Sequence, residues 1–152
     1  MSQNTSPIFS LVPIISAAQL TSSATANTKS DGSGTIGTDI FKVVTGDPTN
    51  GSFISKLRIS SAASVASTAM GASVIRIYLS NKTSGATSSA DTWLFQELTA
   101  AANTADSSAT PSIYYEVPIN LALPPNYTLL VSIHAQPLAN TLWQVVAVGG
   151  NY

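Results

Sequence analysis

Polar and apolar residues alternate with period two along several short stretches of the chain. In Phe53-Ile54-Ser55-Lys56-Leu57-Arg58-Ile59-Ser60, Phe53, Leu57 and Ile59 share one parity and Lys56, Arg58 and Ser60 the other. Ile54 and Ser55 break the pattern at its start. Val74-Ile75-Arg76-Ile77-Tyr78-Leu79 repeats it, with Ile75, Ile77 and Leu79 facing one way and Arg76 and Tyr78 the other. Leu129, Val131 and Ile133 stand likewise against Thr128, Ser132 and His134. Alternation of this kind, rich in β-branched and aromatic residues, predicts half-buried antiparallel strands. Further strands are predicted over 36–45, 92–98, 113–119 and 142–148, and the N-terminal region 8–20 supplies an eighth.

Turn chemistry separates these stretches. Asp31-Gly32-Ser33-Gly34 and Gly46-Asp47-Pro48-Thr49-Asn50-Gly51 carry the residues that reverse a chain. Leu123-Pro124-Pro125-Asn126-Tyr127 is a rigid connector, because consecutive prolines suit neither a helix nor a central strand. The stretches 60–73 and 100–112 are rich in Ala, Ser and Thr and lack a helical stripe of large apolar residues, so they read as loops. The pattern predicts an all-β chain: one antiparallel β-sandwich of seven or eight strands, jelly-roll-like or immunoglobulin-like in outline, with no Cys–Trp–Cys core to favour the antibody type. Residues 21–152 form the sandwich domain, and residues 1–20 are an N-terminal arm or an edge strand.

Composition narrows the function. The 152 residues hold six basic and seven acidic side chains, one histidine and no cysteine, for a net charge of −1. Disulfide scaffolds, thiolate nucleophiles and Cys-based metal sites are thereby excluded. Six scattered basic residues give no electrostatic footprint for nucleic acid. The apolar run from Pro7 to Ile15 has no basic residue before it and contains two prolines. It is shorter than the roughly 20 apolar residues of a membrane helix. A soluble chain, not exported by a signal of its own and without a membrane partner, is expected.

Candidate chemistry is sparse. His134 lies on the outward parity of a strand, with no Gly-x-Ser-x-Gly elbow anywhere to supply a nucleophile, and reads as a surface or interface histidine. Asp47, with loop carbonyls, is the best calcium candidate, but no Asp-x-Asp-x-Asp-Gly loop surrounds it and a turn-forming role is expected. Glu97 and Glu116, the two glutamates, read as strand carboxylates with Arg58 and Arg76 as cross-strand partners rather than as a glycosidase pair. Tyr78, Trp93, Tyr114, Tyr115, Tyr127 and Trp143 offer a sugar-stacking platform on paper and core or sheet-edge residues more simply. No catalytic residue, metal or cofactor is expected.

The surface is the informative feature. Charged residues make up 9% of the chain, while Ser, Thr and Ala number 23, 17 and 20. Small uncharged side chains suit large contact areas, where stripping water from an ion costs several kcal/mol. The candidate interaction arm is the apolar set Pro7, Ile8, Phe9, Leu11, Val12, Ile14 and Ile15, laid on a neighbour or folded back as an edge strand.

Several segments carry a family resemblance. They are Asn4-Thr5-Ser6-Pro7-Ile8-Phe9, Lys56-Leu57-Arg58-Ile59, Val74-Ile75-Arg76-Ile77-Tyr78-Leu79, Glu116-Val117-Pro118-Ile119-Asn120-Leu121 and Leu123-Pro124-Pro125-Asn126-Tyr127-Thr128-Leu129-Leu130-Val131. Trp143-Gln144-Val145-Val146-Ala147-Val148-Gly149-Gly150 completes them. In style and order the chain resembles the small β-sandwich decoration or cement proteins of tailed-bacteriophage heads. That resemblance implies a homo-oligomer, a trimer favoured, bound to the major capsid protein on the capsid exterior after assembly in the host cytoplasm. A tail- or fibre-associated role, or a carbohydrate- or receptor-binding head, is the alternative. On the cement reading, removing residues 2–15 abolishes particle binding and leaves the sandwich folded.

Overall fold

The computed structural model describes residues 11–152, all strand, turn or loop. Twelve strands follow in order: β1 (Val12–Thr21), β2 (Gly34–Thr35), β3 (Phe41–Thr45), β4 (Ser52–Ala63), β5 (Thr68–Met70), β6 (Ser73–Ser80), β7 (Ala86–Thr87), β8 (Thr92–Ala100), β9 (Asn103–Ala105), β10 (Tyr114–Leu123), β11 (Thr128–Ile133) and β12 (Thr141–Asn151). The eight long strands make two antiparallel four-stranded sheets, β1-β12-β4-β10 and β3-β11-β6-β8. Only the step from β6 to β8 stays within a sheet; every other step between long strands crosses the sandwich. This is jelly-roll order.

The inward parities meet in one core. Leu20, Ile54, Leu57, Ile59, Val117, Trp143 and Val145 of the first sheet face Val44, Ile75, Ile77, Leu129, Val131 and Ile133 of the second. The irregular start of the 53–60 pattern is a β-bulge. Lys56 pairs with Val148 and Ile54 with Gly149, which leaves Ser55 without a partner on β12. The extra residue flips the parity, so Ile54 and Leu57 both point into the core. At Gly149 a Cβ would collide with the Phe53 carbonyl oxygen, so the bulge fixes glycine there.

Two expectations need adjusting. Of the predicted 36–45 strand only Phe41–Thr45 joins a sheet. The Thr35 carbonyl accepts from the amides of Thr38, Asp39 and Ile40, and Gly37 adopts φ 92°, so the chain turns tightly before β3. The two Ala/Ser/Thr-rich stretches are not wholly irregular: β5 and β9 pair as a short ribbon, Thr68 opposite Ala105.

The inner strands of the second sheet, β6 and β11, are not half-buried. Residues 22–40 fold across its outer face as a roof, where Ile36 and Ile40 pack on Tyr78 and Leu130. The amide of Asn27 donates to the Ile133 carbonyl at 2.9 Å, and Thr87 Oγ1 donates to the Gly32 carbonyl at 2.7 Å. All six residues of β11 are consequently buried.

Candidate functional site

The arm residues open the first sheet. Pro7, Ile8 and Phe9 lie outside the described residues. The Leu11 amide donates to the Asn151 carbonyl at 2.7 Å, and from Val12 onward β1 pairs antiparallel with β12 as the sheet edge. Ser16 Oγ donates to the Val43 carbonyl at 2.7 Å, which ties this edge to β3 across the sandwich. Period two then sorts the side chains: Ile14 turns inward against the core, whereas Ile15 stands on the outer face, 79% exposed. Leu11, at 80%, is also open to solvent.

The register extends this outer face across all four strands. One row reads Ile15, Val148, Lys56, Pro118; the next reads Ala17, Val146, Arg58, Glu116; a third reads Gln19, Gln144, Ser60, Tyr114. The β1 and β12 columns hold no charge. The β4 and β10 columns hold three charges, two cations gathered around one carboxylate. Lys56 Nζ lies 3.0 Å from Glu116 Oε1, Arg58 lies 4.0 Å from the same oxygen, and the Arg58 guanidinium stacks 4.5 Å from the Tyr114 ring centre. The face is therefore half apolar and half a polar network in which two cations share one carboxylate, leaving one net positive charge.

The outer face of the second sheet is closed by a polar clamp. Arg76, buried to 7% exposure, bonds Glu97 Oε1 through Nε at 2.7 Å. Through Nη1 it donates to the carbonyls of Asn27 at 2.9 Å and Lys29 at 3.2 Å. Its Nη2 lies 3.3 Å from His134 Nδ1. A guanidinium only donates, so Nδ1 is the accepting nitrogen. The Tyr78 hydroxyl donates to the Lys29 carbonyl at 3.1 Å, and burial raises its pKa above the ordinary tyrosine value.

The remaining candidates are dispersed. Glu97 and Glu116 stand on opposite outer faces, Glu97 held by Arg76 and Glu116 by Lys56, with its register partner Arg58 at 4.0 Å. The Asp47 carboxylate accepts from the amides of Thr49 and Asn50 at 2.9 Å each, bonds that lower its pKa, so the turn already uses it. Among the described residues no three of His, Asp and Glu converge. Tyr78 and Trp143 are buried, and Tyr115 packs on Trp143 with ring centres 6.1 Å apart. Trp93 and Tyr114 are exposed. Trp93 stands on β8 of the second sheet and Tyr114 on β10 of the first, so the two exposed rings belong to different sheets. No single stacking platform forms from them. A shallow cavity of ≈ 320 Å³ beside Tyr114, lined also by Asn103, Thr110, Pro111, Ser112 and Ile113, holds no acid–base pair.

Sequence reasoning missed the roof and its clamp. Arg76 and Tyr78 read as an outward parity, and the signal lay elsewhere, in a polar stretch carrying Ile36 and Ile40.

No family model matches the chain, and no curated protein matches it. Among solved structures the chain is similar to PRD1 vertex protein P5, at 12% identity, with 90% of this chain and 96% of that chain covered and a TM-score of 0.38. A likeness of that size carries neither a fold nor a function across.

Proposed function

We propose that this chain is a structural protein of a bacteriophage virion. It acts as a decoration or cement protein on the capsid exterior and binds both copies of itself, as a trimer, and the major capsid protein. It works by contact and not by catalysis, and is made in the host cytoplasm during assembly. The observation that carries this reading is the uncharged half of the first sheet's outer face, with Leu11, Pro13, Ile15, Ala17, Val146 and Val148 side by side and no ion to desolvate. Burying a large aliphatic side chain there gains about 1.5–3 kcal/mol, and many copies on one shell add such gains without a single tight site.

The test is co-sedimentation of the purified chain with heads of its own phage that lack it. Wild-type protein is expected to bind at near-saturating occupancy. Ile15→Lys combined with Val146→Lys is expected to lose binding while the far-ultraviolet dichroism and the melting temperature stay unchanged. Failure of the wild type to bind, or full binding by the lysine variant, contradicts the proposal. Deleting residues 2–10, which leaves every β1 pair intact, reads the contribution of the preceding segment separately.

A further inference from the structure

Three of the four free sheet edges carry devices that block pairing with another chain. β1 has Pro13; β10 has Pro118 and a bulge with Asn120 at φ 46°; β3 has Lys42 and a bulge at Val43. Proline removes a donor, lysine resists desolvation and a bulge twists the edge away. β8 is the exception in having a bulge with no proline or lysine beside it. Its nine residues include neither proline nor lysine, and its one charge, Glu97, is taken up by Arg76. Its single bulge displays Phe95, which has no partner on β6.

The apolar residues of this edge are consecutive. Trp93, Leu94 and Phe95 are 41%, 41% and 42% exposed. Trp93 lies opposite Leu79 on the inner parity and Leu94 opposite Tyr78 on the outer, so apolar surface flanks the unpaired backbone on both sides. Among the described residues no strand pairs with the open side of β8.

We infer that β8 pairs antiparallel with β8 of a second copy across a two-fold axis, joining two four-stranded sheets into one of eight strands. The edge accepts a second copy of itself. Turned through a two-fold, each unpaired N–H meets a C=O of the same edge, so the contact is self-complementary. Like charges oppose each other only in the single register centred on Glu97. Taking ~200 Å² per large apolar side chain, the three exposed residues supply ~250 Å² per copy, against ~800 Å² per partner in a standard interface. The contact is therefore weak between free copies and strengthens where another surface holds them together. It goes beyond the virion reading and concerns a different edge. A trimer built elsewhere leaves its β8 edges open, and β8 then links one trimer to the next.

Sedimentation equilibrium of the full chain from micromolar to millimolar concentration tests this. Trp93 is a built-in reporter, because Trp143 is buried and the quenchable indole emission comes from Trp93. A reversible doubling of mass is expected, accompanied by reduced acrylamide quenching. Leu94→Lys should raise the dissociation constant at least tenfold with the dichroism spectrum unchanged. Phe95→Lys, at the unpaired bulge position, provides the same reading should Leu94→Lys fail to fold. Leu138→Lys, in the exposed loop between β11 and β12, should leave the doubling intact. A mass that never doubles, or a doubling that survives both β8 lysine variants, overturns the inference whatever the outcome of head binding.

Discussion

The two outer faces of the sandwich meet solvent in opposite ways. Arg76, Tyr78 and Leu130 on the second sheet are buried beneath residues 22–40, whereas Ile15, Ala17 and Val146 on the first sheet have no cover among the described residues. Arg76 and Tyr78, which read as an outward polar parity, are buried, while the apolar Ile15 is left out. Alternation along a strand therefore reports that two faces differ, and not which one water sees. On the second sheet the outer parity holds a long cation and a phenol, each able to bury its stem once its head finds carbonyls. The roof supplies those carbonyls from Asn27 and Lys29. Among the described residues no covering segment makes such bonds on the first sheet.

Truncating one apolar residue on each face separates the two most sharply. Leu130→Ala, beneath the roof, should lose about 2–5 kcal/mol of unfolding free energy, while Ile15→Ala should stay within about 0.5 kcal/mol. Chemical denaturation measures both, and equal losses would mean that the first face is also packed. Next in size, Arg76→Ala should cost roughly 2–4 kcal/mol, because two roof carbonyls and Glu97 lose their donor together. Amide exchange should speed up across residues 25–40 and remain slow in β4 and β12. Gly32→Ala should cost about 1–3 kcal/mol. Gly32 has φ 84°, and a Cβ there runs into the Thr92 carbonyl oxygen.

Much of the sandwich is legible in the order of residues alone. The Ile75/Ile77 and Leu129/Val131 parities point into the core, and the Arg58–Glu116 and Arg76–Glu97 pairs follow from strand spacing. Even the flaw at Ile54 and Ser55 is visible as a break in period, though its meaning as a bulge depends on Gly149 on a strand almost a hundred residues away. The roof is not legible. Its hold on the sheet is one small apolar cluster and a set of backbone carbonyls, and carbonyls leave no mark in a sequence. Of the candidate arm, the sequence shows the apolar content. Only the pairing with β12 separates inward Ile14 from outward Ile15.

The smallest effects are in pH. Burial raises the pKa of Tyr78, so the folded state favours the neutral phenol. The stability this contributes is present below the ordinary tyrosine value of 10.0 and is lost as pH rises past it towards the folded value. Tyr78→Phe should flatten that alkaline loss in thermal melts. Asp31, Asp47 and Asp91 accept turn hydrogen bonds, mainly from the amides of Ser33, Asn50 and Ser88 respectively, and their pKa values fall below 3.8. Their contribution is full above the unfolded value and is lost as pH falls through the folded one. Asp91→Asn should reduce the acid dependence of the melting temperature by a small amount.

The most direct test is a cryo-microscopy map of the decorated head. Ile15, Ala17, Val146 and Val148 are expected to lie against the shell while residues 22–40 face outward to solvent. A map with the roof against the shell and the β1–β12 face in open solvent would contradict the cement role proposed for the uncharged face.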